Sequence, residues 1–289
     1  MTRPIIVGVD GSGPSLQAAS WAGAEAALHG APLRILHAAL RWSYDVPLVP
    51  QPAGWDADAR SGAAEMLRQA TLRARAGRPR LDVTAEIVDG GAADALVAAT
   101  EEARLLVVGN RGRGGFTELL LGSVSRTVTA RASCPVAVVR WTSGDDSGDQ
   151  GDVVVGVTGR PGQDDVLDFA FGEAGLRGVG VLAVHAWRHP ARLAPGDIQP
   201  PVYDIDEVGR EEERLVAVAL AGRMEAFPDV PSTRRVVHAH PAKALIAASA
   251  HASLVVIGAH AERLTRPGLG SIAHAITHHG HSPVVVVRH

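Results

Sequence analysis

The sequence predicts an α/β protein made of two tandem Rossmann-like domains, each an open parallel sheet with helices on both faces. Three observations carry this. Ile5-Ile-Val-Gly-Val-Asp10 returns as Val153-Val-Val-Gly-Val-Thr158, and one offset of 148 positions also relates Gly30 to Gly178, His37 to His185, Ser123 to Ser271 and Pro135 to Pro283. Within each copy, short β-branched runs alternate with longer Ala-rich stretches, the pattern of βαβ units. Between the copies lies a polar, Gly-rich and acidic stretch, WTSGDDSGDQGD, which reads as a linker. The expected division is therefore a first domain over residues 1–141, a linker over 142–152 and a second domain over 153–289.

In the first copy the expected strands are Ile5–Asp10, Leu33–Ala38, Leu81–Val88, Leu105–Gly109 and Val136–Arg140. Ile5–Val9 and Val136–Val139 are almost continuously apolar, as strands covered on both faces must be. Helices are expected at Ser15–His29, closed by Gly30 as a C′ glycine, and at Arg60–Ala76, Ala93–Ala103 and Ser123–Ala132. Arg41–Arg60, with Trp42, Tyr44, Trp55 and several prolines, lacks periodicity and reads as a loop near any pocket. The second copy repeats the strands near Val153–Val157, Val179–His185, Thr233–His238, Leu254–Gly258 and Val284–Arg288. Arg188–Asp206 matches the Pro-rich loop.

Composition narrows the function classes. The 289 residues are 46% apolar and 20% charged, which suits a folded protein, and aromatics are only 4%, so the core must be built from Ala, Val and Leu. A net charge of −3 gives no basic face for nucleic acid. No apolar run reaches the 18 or so residues of a membrane span, and the N-terminus lacks signal-peptide architecture, so a cytoplasmic protein is expected. Lys243 is the one lysine, leaving none in the first half for a Walker-type site. Cys134 stands alone, which excludes an internal disulfide; it reads as a small buried residue rather than a nucleophile.

The chemistry is expected after the fourth strand. There Gly109-Asn-Arg-Gly112 is followed by nine residues and then Gly122-Ser123. Such a segment leaves the carboxyl edge of a sheet and returns at a helix N-terminus, where unpaired N–H groups and a partial positive charge attract phosphate. Ser123 is the expected N-cap, and Arg111 and Arg113 add charge. Asp10 ends the first strand, beside the crevice where strand order reverses; its carboxylate can accept from ribose hydroxyls or hold Mg²⁺. Ala38–Leu40 can meet a base through its backbone.

These residues resemble the universal stress protein family: VGVDGS at Val7–Ser12, the G-x2-G-x9-G-S spacing at Gly109–Ser123, and Cys134-Pro135-Val136 before the last strand. The match to the tandem actinobacterial type covers both repeats. The resemblance implies a five-stranded parallel sheet of order 3-2-1-4-5 in each domain, ATP in the ATP-binding subset, and a regulatory role in stress or dormancy without a dedicated reaction. It implies Gly8, Val9, Asp10 and Ala38 around the nucleoside, Asp10 near ribose or metal, Gly109, Gly112, Gly122 and Ser123 around the phosphates, and a backbone contact from Val124. It also implies pairing of the Val-rich final strands, a homodimer and an unidentified regulatory partner.

The second copy departs from this pattern. It has Thr158 and Arg160 in place of Asp10 and Ser12, and its later loop runs Gly258-Ala-His-Ala261, eight residues including Pro267, then Gly270-Ser271. It is read as a domain without nucleotide. His274, His278, His279, His281 and His289 cluster near the end and read as exposed helix histidines rather than metal ligands. Ser12 has no expected His base, which disfavours a hydrolase. Competing readings are a slow ATPase, an interaction module of the same fold without nucleotide, and an adenylate-forming or phosphotransfer enzyme, for which no signature is present.

Overall fold

The computed structural model describes residues 2–39, 55–112, 121–140, 151–188, 204–259 and 270–288. These fall into two compact units. The first holds the described residues up to 140 together with 283–288, and the second holds 151–188, 204–259 and 270–282.

In the first unit the order along the chain is β1 (Ile5–Gly8), α1 (Gly13–Leu28), β2 (Leu33–Ala39), α2 (Trp55–Arg75), β3 (Val83–Asp89), α3 (Ala92–Ala99), β4 (Leu105–Gly109), α4 (Ser123–Arg131) and β5 (Val136–Val139). The strands lie parallel in the order β3-β2-β1-β4-β5. One strand from the end of the chain, β10 (Val284–Arg288), joins this unit antiparallel to β5, with Val284, Val285 and Val286 opposite Val138, Ala137 and Val136. The chain turns back at β1, so the carboxyl ends of β1 and β4 flank the point where strand order reverses.

Small residues determine how the layers meet. Ile5, Ile6 and Val7 are buried on both faces of the sheet, as the unbroken apolar run requires. Ile6, Leu36, Leu106, Val108, Val136 and Val138 pack with Leu96 and Val128 on one side. Across α1, Ala18, Ala19, Ala22 and Ala26 are buried, and Gly23 sits so close to α2 that a Cβ would overlap the Ala74 carbonyl oxygen and stand 2.9 Å from its Cα. A core poor in aromatics thus compensates by bringing backbones together. Ser12 caps α1, and Gly30, at φ +57°, follows its C-cap, His29.

The second unit runs β6 (Val153–Gly156), α5 (Asp164–Arg177), β7 (Val181–Trp187), α6 (Ile205–Ala226), β8 (Ser232–His238), α7 (Pro241–Ala248), β9 (Leu254–Ala259) and α8 (Ser271–His279). Its strands are parallel in the order β8-β7-β6-β9. Asp204 caps α6 by accepting from the N–H groups of Asp206 and Glu207, and Gly178 closes α5 in the left-handed conformation.

Several element boundaries differ from the sequence expectation, each for a local reason. β1 stops at Gly8 because the Asp10 side chain turns the chain back on itself. α2 starts at Trp55, five residues earlier than expected, and is held by a buried stripe of Ala63, Leu67, Ala70 and Ala74. α3 stops at Ala99 because the Thr100 hydroxyl bonds back to Val97 O at 2.5 Å and accepts from Ser133 N at 2.9 Å. His278, expected to be exposed, is buried, since it shares the inward stripe of α8 with Ala273 and Ile276. No helix among the described residues is long and apolar enough to cross a membrane.

Candidate functional site

The carboxyl end of β1 is a tight turn built around Asp10. Its Oδ1 accepts from Ser12 N at 3.0 Å and from Ser12 Oγ at 2.6 Å, and Gly11 between them takes φ +79°. Ser15 completes the turn: its hydroxyl accepts from Asp10 N at 3.3 Å and donates to Ser12 O at 2.9 Å. The Ser12 hydroxyl therefore gives its single proton to Asp10 while accepting from Ser15 N, which makes it a cap and a prop rather than a nucleophile. Beside the turn, His37 Nδ1 lies 2.9 Å from Val9 O. Because a carbonyl only accepts, that nitrogen carries the hydrogen.

The other Asp10 oxygen, Oδ2, faces Gly112. A Cβ at Gly112 would overlap it, so the glycine lets the chain after β4 close on the carboxylate. Asn110 N donates to Val139 O at 2.8 Å, and Gly122 N donates to Asn110 O at 3.0 Å. Ser125 Oγ donates to Gly109 O at 2.7 Å. These bonds draw together the ends of β4 and β5 and the start of α4, all beside Asp10.

The four glycines assigned to the pocket divide by what surrounds them. A Cβ at Gly8 would stand 2.7 Å from Leu96 Cδ1, and one at Gly109 would stand 2.9 Å from the Pro14 carbonyl carbon. At Gly109 the close atoms are backbone, so packing already requires glycine there, whereas at Gly8 they are the end of a leucine side chain that can shift. Gly122 is different: its backbone is in the extended region at φ −62°, and a Cβ there would meet nothing nearer than 3.7 Å. It is the N-cap of α4, which corrects the assignment of Ser123; Ser123 is the first helical residue and is exposed. A glycine cap supplies no side-chain acceptor, so no side chain caps the start of α4. Val124 packs its side chain on the core, Ala38 lies in β2 opposite Val88, and Arg113 falls outside the described residues.

Two residues belong to this corner that the spacing of glycines did not indicate. Asn110 is buried, and its Oδ1 has no hydrogen-bond partner. Arg140 follows β5 directly. Burial lowers its guanidinium pKa below the ordinary value, and the nearby Arg111 charge lowers it further. Two like charges beside the positive end of α4 form a place where an anion is electrostatically favoured.

The matching corner of the second unit is filled by its own side chains. Thr158 Oγ1 accepts from Arg160 N at 3.3 Å, which gives a weaker version of the turn. Gln163, at the position of Ser15, receives Thr158 N at 2.7 Å through its Oε1 and donates from Nε2 to Gly156 O at 3.4 Å. Leu215 of α6 closes on Gly159, at φ +68°, so tightly that a Cβ there would overlap it. His185 joins Val157 O at 2.7 Å to Glu212 Oε2 at 2.8 Å. Ala261 and Pro267 lie outside the described residues. Elsewhere, burial pushes the Cys134 thiol up to about 11, so it is not a nucleophile at neutral pH.

Two units of one design, the first with Asp10 beside a glycine-capped helix start and the second with Thr158 at the matching place and a glycine-capped helix start of its own, define a duplicated α/β protein. The universal stress protein family model matches residues 1–140 and 151–288, and the chain belongs to that family. It is 36% identical over 293 residues to a universal stress protein of Mycobacterium tuberculosis, covering 98% of this chain and 96% of the relative. A universal stress protein of Mycolicibacterium smegmatis is likewise 36% identical over 292 residues, with the same coverage. Among solved structures, a universal stress protein from Archaeoglobus fulgidus matches with a TM-score of 0.72 at 17% identity, covering 100% of this chain and 99% of that one, a likeness of fold.

Proposed function

We propose that the chain is an ATP-binding regulator of a stress or dormancy response, with one nucleotide held in the first unit and none in the second. The observation that carries this reading is the pairing of Asp10 Oδ2 with Gly112 beside the glycine-capped start of α4. A carboxylate is an acceptor only, suited to ribose hydroxyls or to Mg²⁺. The α4 terminus, Arg111 and Arg140 suit phosphate oxygens. In this reading Gly8, Val9 and Ala38 flank the nucleoside, and Gly109, Gly112, Gly122, Ser123 and Val124 follow the phosphates. Bound Mg²⁺ would supply charge neutralisation between Asp10 and the phosphates.

In this reading Asp10 is not a general base, because Ser12 engages its Oδ1 and ribose or Mg²⁺ takes its Oδ2. Any ATP hydrolysis is therefore slow, and the nucleotide acts by biasing conformation or the binding of a partner protein. Cytoplasmic residence and a homodimer of chains complete the proposal. Denaturing freshly purified protein and identifying the released small molecules by mass spectrometry tests it. ATP near one equivalent per chain supports the reading. An empty protein that also fails to bind added ATP would favour an interaction module, and two equivalents would overturn the assignment of the second unit.

A further inference from the structure

Among the described residues, each unit ends in a strand with a neighbour on one side only, β3 in the first and β8 in the second. The free side of such a strand presents unpaired N–H and C=O groups to any chain that can approach. Both strands are also open along their length. Thr84, Ala85, Glu86 and Ile87 are exposed in succession, as are Thr233, Arg234 and Arg235, where an interior strand such as β4 is buried throughout. Ile87 is 40% exposed.

The duplicated edges have opposite charge at one matching place. Leu36 pairs with Glu86 in the first unit, and Val184, its counterpart, pairs with Arg235 in the second. By the same register Ala85 corresponds to Arg234 and Asp89 to His238. Glu86 already pairs with Arg34 on β2 at 2.7 Å, which holds its carboxylate over the strand. Arg234 and Arg235 make no ion pair among the described residues.

Charges that merely guard an edge would serve equally well with one sign on both. With opposite signs, β3 facing β3 and β8 facing β8 are each repelled, because like charges directly across a strand pair are destabilising. Only β3 facing β8 is attracted. We propose that copies of this chain associate edge to edge, the acidic β3 of one against the basic β8 of the next, with main-chain hydrogen bonds across the junction and Glu86 beside the arginines of the neighbour. The two surfaces differ, so the contact is heterologous and leaves one edge of each sort open for a further copy.

Sedimentation equilibrium of the full chain tests this. The apparent mass should rise with concentration at 50 mM NaCl and fall back towards one chain at about 500 mM, where the Debye length has shrunk to a few ångströms. Arg235→Glu and Glu86→Arg should each weaken association by tenfold or more. An equimolar mixture of the two variants offers one native and one charge-reversed junction per pair, so it should associate again as the unmodified chain does. The double variant Glu86→Arg/Arg235→Glu should associate as the unmodified chain does. Circular dichroism checks that each variant is folded, and Arg235→Glu removes no ion pair within the described residues. A mass that does not depend on concentration or salt, or association unaffected by Arg235→Glu, would overturn the proposal.

Discussion

Gly122 separates two reasons for glycine that a sequence cannot distinguish. Gly109 abuts the Pro14 carbonyl carbon at what would be 2.9 Å, so Gly109→Ala disturbs α1 whatever the site binds. Gly122 has ordinary φ and open space, so Gly122→Ala should leave the melting temperature within about 1 °C while lowering ATP affinity at least tenfold, about 1.4 kcal/mol. Asp10→Glu should also lower the affinity, and the melting temperature with it, because one more methylene drives the carboxylate into Gly112 and away from Ser12. Titration calorimetry with parallel thermal melts checks both, and unchanged affinity in both variants would sink the pocket assignment. The motif made Asp10, Gly112 and Gly122 legible. Asn110 and Arg140 were not, since nothing in residue spacing shows that the end of β5 bonds to the residue after Gly109. The packing role of Gly8 was hidden for the same reason: Leu96, which packs against it, is 88 positions away in sequence.

At the level of elements, the contact of α1 with α2 is the most exacting in the first unit. Gly23→Val would force a branched side chain against the Ala74 backbone, which cannot yield as a flexible side chain would. Overpacking of this kind costs about 1–3 kcal/mol or more. At about 2–4 °C per kcal/mol for a unit of this size, the melting temperature should fall by several degrees, as calorimetry would show. Element type was readable because apolar period and length agree here: Val-rich runs of four to seven residues and Ala-rich stretches of two turns or more. Element ends were less readable. Side-chain bonds from Asp10 and Thr100 end β1 and α3, and such bonds depend on which neighbour the fold supplies. The early start of α2 was masked by the prolines just before it, while the stripe that holds the helix lies further on.

For the whole molecule, duplication was evident from the one offset, yet the units in space are not the repeats in sequence. β10 comes from the second repeat and lies in the first unit against β5. Arg288 strengthens the join by donating from its guanidinium to the Ala130 carbonyl. A chain ending at residue 140 would leave the buried residues Val136, Ala137, Val138 and Val139 on an open, uncharged edge. Such a chain should dimerise or aggregate in light scattering at concentrations where the full chain stays dispersed in high salt.

The same strand exchange has a consequence in time. A ribosome releases β5 early, but its antiparallel partner β10 is made about 150 residues later. At about 5–20 residues per second, the first unit waits on the order of ten to thirty seconds with one flank unfinished. The first unit is therefore completed only once residues 284–288 have been made, so a chain terminated before them carries its defect in the half that was already synthesised.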